Sequence, residues 1–191
     1  MHHLQLPFRE IVLALDTPEF LPSLSQYSAA GKVPVLLDGD RRIWDSLAII
    51  EYLHELSQSR AWPADAAQRA HARSVSAEMH SGFAALRGSW PMQAASKDLR
   101  VPLSADGLAN VARIDEIWQN CRALYAAAGP WLFGTYSAAD AMYAPVVLRF
   151  NTYGAALSAP SATYVRHVLQ DPPLQSWIAA AAAEIGTQQA Q

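Results

Sequence analysis

The sequence predicts an α/β segment followed by an all-helical domain. Three observations carry that division. Apolar runs flank an Asp38-Gly39-Asp40 turn between Val35 and Trp44, which is the pattern of a β-hairpin. From Ile49 the apolar and aromatic side chains recur at Ile49, Tyr52, Leu53 and Leu56, which is helical spacing. Beyond Asp65 the same helical spacing continues, broken by Gly and Pro stops.

Phe8 to Leu15, reading FREIVLAL, is rich in apolar and β-branched residues and is expected as a strand. Pro18 to Tyr27 reads as a short helix or loop with Pro22 inside it, and Ser28 to Gly31 leads into the hairpin. Pro34 has no N–H to give a mid-sheet ladder, so a proline opening a strand marks a turn or a cis bond. Asp45 and Ser46 stand where N-cap residues are expected, at the start of SLAIIEYL. A helix start leaves N–H groups open and carries the positive end of the dipole, so a ligand carboxylate can dock there. The Ser46 hydroxyl and the Asp45 carboxylate are then ready to grip adjoining groups. Taken singly, the same residues serve as an ordinary cap and an ordinary strand opening.

The α/β part spans residues 1–57. Residues 58–65 are polar, carry Pro63 and form the linker, and Asp65 is the N-cap of the helical domain, 66–191. AAQRAHARSVSAEMHSGFAALR is one helical stretch with Val75, Met79, Phe83 and Leu86 on one side, ending near Trp90-Pro91. The series Val111, Ile114, Trp118, Cys121, Tyr125 forms the apolar stripe of a further helix stopped at Gly129-Pro130. Ser137 and Asp140 have the spacing of a capping box, and Pro145 inside the helix they open predicts a kink. A last helix from Pro172-Pro173 to Glu184 is expected to bury Leu174, Trp177, Ile178 and Ile185.

Composition narrows the function. With 51% hydrophobic and 16% charged residues in 191, the chain is globular and has enough apolar surface for a substantial core. A net charge of -3, with Arg41-Arg42 as the only adjacent Lys/Arg pair, gives no electrostatic reason to bind nucleic acid. No apolar run approaches the ~18 residues of a membrane span, and the start MHHLQLPFREIVLAL lacks a signal-peptide pattern. Cys121 is the single cysteine, read as a core thiol, which points to the reducing cytoplasm. The six histidines show no zinc-ligand spacing, so no metal is expected.

Val33-Pro34 before a hairpin, then Asp45-Ser46 opening a helix, resembles the glutathione-binding half of the glutathione S-transferase family. Ser137-x-x-Asp140 after the Phe133-Gly134 turn resembles the folding motif of that family's helical domain, and WPADAAQRAHARSVSAEMHSGFAALR resembles its bacterial, zeta-like branch. The resemblance implies a thioredoxin-like N-terminal domain followed by an all-helical C-terminal domain. It implies glutathione as co-substrate, with Val33 and Pro34 on the cysteinyl part, Asp45 and Ser46 on the γ-glutamyl end, and Lys32 near the glycyl end. Ser137 and Asp140 are structural residues on this reading. Met79, His80, Phe83 and Arg87 are the candidates for the wall of an electrophile pocket. A cytoplasmic homodimer acting in detoxification is the corresponding expectation for assembly and setting, with no nucleic-acid or membrane partner.

Against the family pattern, the chain opens at what matches the second strand. The first strand and helix have no counterpart, and with them goes the Ser, Tyr or Cys that activates the glutathione sulfur, which is therefore expected upstream of Met1. The expected function is conjugation of the glutathione thiolate to an electrophilic small molecule. The alternatives are a non-catalytic glutathione-binding or dimerisation module, or a zeta-type glutathione-dependent isomerase.

Overall fold

A computed structural model describes residues 1–15 and 17–188, with side chains of the last helix described as far as Glu184. The chain divides into two compact units, Met1–Ala61 and Trp62–Gln191.

The first unit is built around one hairpin. Strands β1 (Leu36–Asp38) and β2 (Arg41–Ile43) pair antiparallel, with Leu36 opposite Ile43 and Asp38 opposite Arg41. Gly39 takes a φ of +56° at the first position of the two-residue turn, the conformation such hairpins demand and glycine adopts freely. A short helix α1 (Phe20–Ser25) precedes the hairpin and α2 (Ser46–Leu56) follows it. The Asp45 carboxylate accepts the Leu47 N–H at 2.9 Å and caps α2. Leu24, Leu53 and Ala61 are the buried apolar side chains of this unit among the described residues.

The strand expected over Phe8 to Leu15 does not form. Residues 6–14 carry no regular secondary structure, and Phe8, Ile11, Val12 and Leu15 are exposed, Val12 by 67%. Among the described residues, none of the N–H groups from Phe8 to Ala14 donates a hydrogen bond. The reason is physical: β-branched residues favour extended backbone, but a strand exists only where a neighbour completes the ladder, and among the described residues none pairs with this segment.

The second unit is helical: α3 (Ala66–Ser81), α4 (Ala84–Ser89), α5 (Ala105–Tyr125), α6 (Ala138–Tyr153), α7 (Ala159–Val168) and α8 (Pro172–Gln188). Asp65 caps α3 by accepting the Gln68 N–H at 2.8 Å, and Ser104 caps α5. The stretch read as one helix to Arg87 is in fact α3 and α4, divided at Gly82 and at Phe83, whose φ of 61° is left-handed. Val75, Met79, Phe83 and Leu86 are nonetheless all buried. Trp118 is the hub of the core, fully buried, with the Tyr143, Phe150 and Tyr164 rings 5.1 to 5.7 Å away in edge-on geometry.

Asp140 ties that core to the helix starts. One carboxylate oxygen accepts the Ser137 N–H at 2.8 Å and the Ser137 hydroxyl at 3.2 Å; the other accepts the Leu132 N–H at 3.0 Å and the Tyr164 hydroxyl at 3.1 Å. The capping box is complete. The turn before it needs glycine: Gly134 sits at φ +87°, and a Cβ there would meet the Ala128 Cβ at 2.5 Å. Cys121 is buried among these helices, and burial, with Asp140 nearby, pushes its thiol up to about 12, so it is a core thiol. The last helix departs from expectation at Trp177, which is 41% exposed, while Leu174 and Ile178 are half-buried. Apolar spacing selects a face of a terminal helix but does not supply anything to cover it. The Ile185 side chain lies outside the described residues.

Candidate functional site

The candidate site grows from the hairpin register. Leu36 faces Ile43, so the residues before β1 and those after β2 leave the hairpin at the same end. Val33-Pro34 and Asp45-Ser46 are therefore brought together from positions about a dozen residues apart. The Val33-Pro34 peptide bond is cis. Val33 is 49% exposed, and among the described residues neither its N–H nor its C=O enters a hydrogen bond. An extended peptide can meet both groups as a neighbouring strand would. Lys32, one residue earlier, is exposed in the loop.

On the other side, Asp45 takes up the Leu47 N–H, and the Asp45 carbonyl accepts the first helical bond, from Ile49 at 2.9 Å. Among the described residues the N–H groups of Ser46 and Ala48 have no acceptor. The start of an 11-residue helix thus presents two open donors, a half-buried hydroxyl and an exposed carboxylate. That set suits a zwitterion, because the open N–H groups and the dipole favour its carboxylate while Asp45 favours its ammonium.

A tie that the sequence did not reveal holds the two sides. The Tyr52 hydroxyl in α2 donates to the Asp38 carboxylate at the turn end of β1. This bond raises the Tyr52 pKa, with burial and the Asp38 charge acting in the same direction. Tyr52 reads from spacing as one more apolar-face residue, and only the aspartate of the hairpin turn hints at a partner.

Met79, His80, Phe83 and Arg87 gather at the α3–α4 junction of the second unit. Met79 and Phe83 are buried core residues and His80 is half-buried. Arg87 donates to the Met79 and His80 carbonyls, the latter at 3.2 Å, and so closes the C-terminal end of α3. Among the described residues no group of three or more His, Cys, Asp or Glu side chains could hold a metal ion. Among them, too, no helix is long and apolar enough to cross a membrane.

A hairpin carrying a cis-proline, a capped helix beside it and an all-helical second unit define the glutathione transferase fold, with a thioredoxin-like N-terminal part. Residues 1–56 match the family glutathione S-transferase, N-terminal domain. Among solved structures, a glutathione transferase homologue from Burkholderia (strain BGR1) with bound glutathione superposes with a TM-score of 0.68 at 20% identity, over 95% of this chain and 87% of that one. The Tau class glutathione S-transferase of mango, Mangifera indica, gives 0.66 at 17% identity over 91% and 81%. Residues 1–56 thus resemble the N-terminal domain of the glutathione S-transferase family, and the chain shares the fold of these structures. Two curated relatives are dichloromethane dehalogenases, from Methylorubrum extorquens (35% identical over 57 residues) and Methylophilus leisingeri (36% over 73 residues). These matches cover 29% and 35% of this chain and only 20% and 26% of the relatives' length.

Proposed function

We propose that Lys32, Val33, Pro34, Asp45 and Ser46 bind glutathione, and that the protein is a glutathione transferase. The observation that carries this reading is the hairpin register, which sets the open backbone of Val33 beside the donor-bearing start of α2. Val33 pairs with the cysteinyl backbone, Ser46 and the open N–H groups take the γ-glutamyl carboxylate, Asp45 takes its ammonium, and Lys32 reaches the glycyl carboxylate. In conjugation the glutathione thiol gives up its proton and the sulfur lone pair forms a bond to an electrophilic carbon. The leaving group departs with its bonding pair.

The curated relatives' name makes small halogenated alkanes the first electrophiles to assay, with halide release and glutathione consumption followed together. Turnover that recovers all the glutathione and releases no halide would instead indicate isomerase chemistry. A homodimer in the cytoplasm is the assembly and setting that go with this function. Met79, His80, Phe83 and Arg87 are proposed for the electrophile side, with His80 the polar member to test because Met79 and Phe83 are buried in the core and Arg87 closes a helix.

The decisive experiment is calorimetric titration of glutathione into wild type and the Asp45→Ala/Ser46→Ala variant. Losing a charged contact and a hydroxyl contact weakens binding by about 30-fold or more. Unchanged affinity in the double variant would mean that the site is misassigned.

A further inference from the structure

We infer that Tyr52 and Asp38 are positioning residues for the glutathione site, acting through the bond between them on the spacing of its two sides. This inference rests on the glutathione reading and adds residues that do not touch the ligand. The hairpin has two ends. Val33-Pro34 and Asp45-Ser46 leave from one, while Asp38 closes β1 at the other, beside the Gly39-Asp40 turn. Tyr52 lies six residues into α2 from Ser46, or about 9 Å along the axis. Asp38 lies four residues along the strand from Pro34, or about 13 Å. Helix α2 starts at the site end, so a Tyr52 hydroxyl that reaches Asp38 means the helix runs back along the hairpin towards the turn.

The helix is therefore fixed to the hairpin covalently through Trp44 at the site end and also through the Tyr52–Asp38 bond at the turn end. Loss of that bond lets α2 shift about Trp44, and the N–H groups and the Ser46 hydroxyl at its start then change direction relative to Val33. The second attachment removes that freedom. The direction of those N–H groups matters because hydrogen bonds weaken steeply off axis. Arg41, paired with Asp38 across the ladder, is close enough to act on Tyr52, and its charge opposes that of Asp38. The tie is a local unit of strand end, facing strand and helix.

The test is a double-mutant cycle read by glutathione titration on the full chain, with Tyr52→Phe, Ser46→Ala and both together. Tyr52→Phe removes one oxygen and leaves the ring packing. It is expected to weaken glutathione about fivefold, the scale of one hydrogen bond, and to have a smaller effect, about twofold, in the Ser46→Ala background, because the hydroxyl that turns with the N–H groups is already gone there. Asp38→Asn keeps an acceptor oxygen and is expected to restrain the loss to about twofold. The same fivefold loss in both backgrounds would reduce the tie to general stability and overturn the inference, as would no loss at all. If Ser46→Ala alone binds like wild type, the glutathione reading itself falls and takes this inference with it. Should Tyr52→Phe not fold, Asp38→Ala enters the cycle in its place with the same expected pattern.

Discussion

Asp140 is a carboxylate with almost no access to water, surrounded by four donors: two backbone N–H groups and the hydroxyls of Ser137 and Tyr164. Burial favours the neutral acid and the four hydrogen bonds favour the anion. Burial wins, and the carboxyl is pushed up from its ordinary 3.8 to about 6. Because the folded pKa lies above the unfolded one, the folded chain holds the proton more tightly. The stability from this group is complete below about pH 4 and is lost as pH rises through about 6. Urea unfolding of wild type and Asp140→Asn at several pH values reads this directly. Between pH 4 and pH 7 wild type should lose on the order of 2–3 kcal/mol relative to the amide variant, which has no proton to release. Parallel pH profiles would show that the donors outweigh burial. The spacing Ser137-x-x-Asp140 foretells the capping box, but the Tyr164 contact, 24 residues away, is not visible in it.

At the scale of elements, helix starts were the most legible features of the sequence and helix interruptions the least. Asp45, Asp65 and Ser137 act locally on N–H groups two or three residues on, so short windows of sequence contain the whole interaction. The division of α3 from α4 depends instead on Gly82 and the left-handed Phe83 amid a run of good helix formers. A Cβ at Gly82 would lie 2.7 Å from the Glu78 carbonyl oxygen, which itself accepts the Gly82 N–H at 2.9 Å. Gly82→Ala is therefore expected to destabilise the protein by about 1–2 kcal/mol, even though alanine costs the unfolded chain some freedom. A denaturation midpoint equal to or above wild type would contradict that contact. The segment from Phe8 to Leu15 makes the converse point. Its composition is that of a strand, but composition does not supply the partner that turns extended chain into a ladder. The candidate site shows both sides of this limit. The cis bond at Val33-Pro34 and the cap that Asp45 gives α2 belong to short local patterns and were legible, whereas the bond from Tyr52 to Asp38 spans 14 residues and was not.

Across the whole molecule, apolar burial is uneven. Of the 14 exposed large hydrophobic side chains among the described residues, Phe8, Ile11, Val12, Leu15, Leu21, Val33, Leu37, Trp44 and Leu56 lie in the first unit, which holds residues 1–61 of 191. The large buried side chains are concentrated in the second unit around Trp118, Tyr143 and Tyr164. Hydrophobic burial is the main favourable contribution to folding, so the first unit should open at lower free energy than the second. Native-state hydrogen exchange separates the two, with the amides of α2 exchanging through openings of lower free energy than those of α5 and α6. A ligand that binds only the folded first unit adds RT ln(1 + [L]/Kd) to its opening, or about 2.7 kcal/mol at a hundredfold excess over Kd. Saturating glutathione should accordingly slow exchange in α2 by about 100-fold, as far as global opening allows, and leave α5 and α6 governed by their own core. Equal free energies of opening throughout the ligand-free chain would refute the uneven core. Protection of α5 without protection of α2 on adding glutathione would place the ligand away from the start of α2.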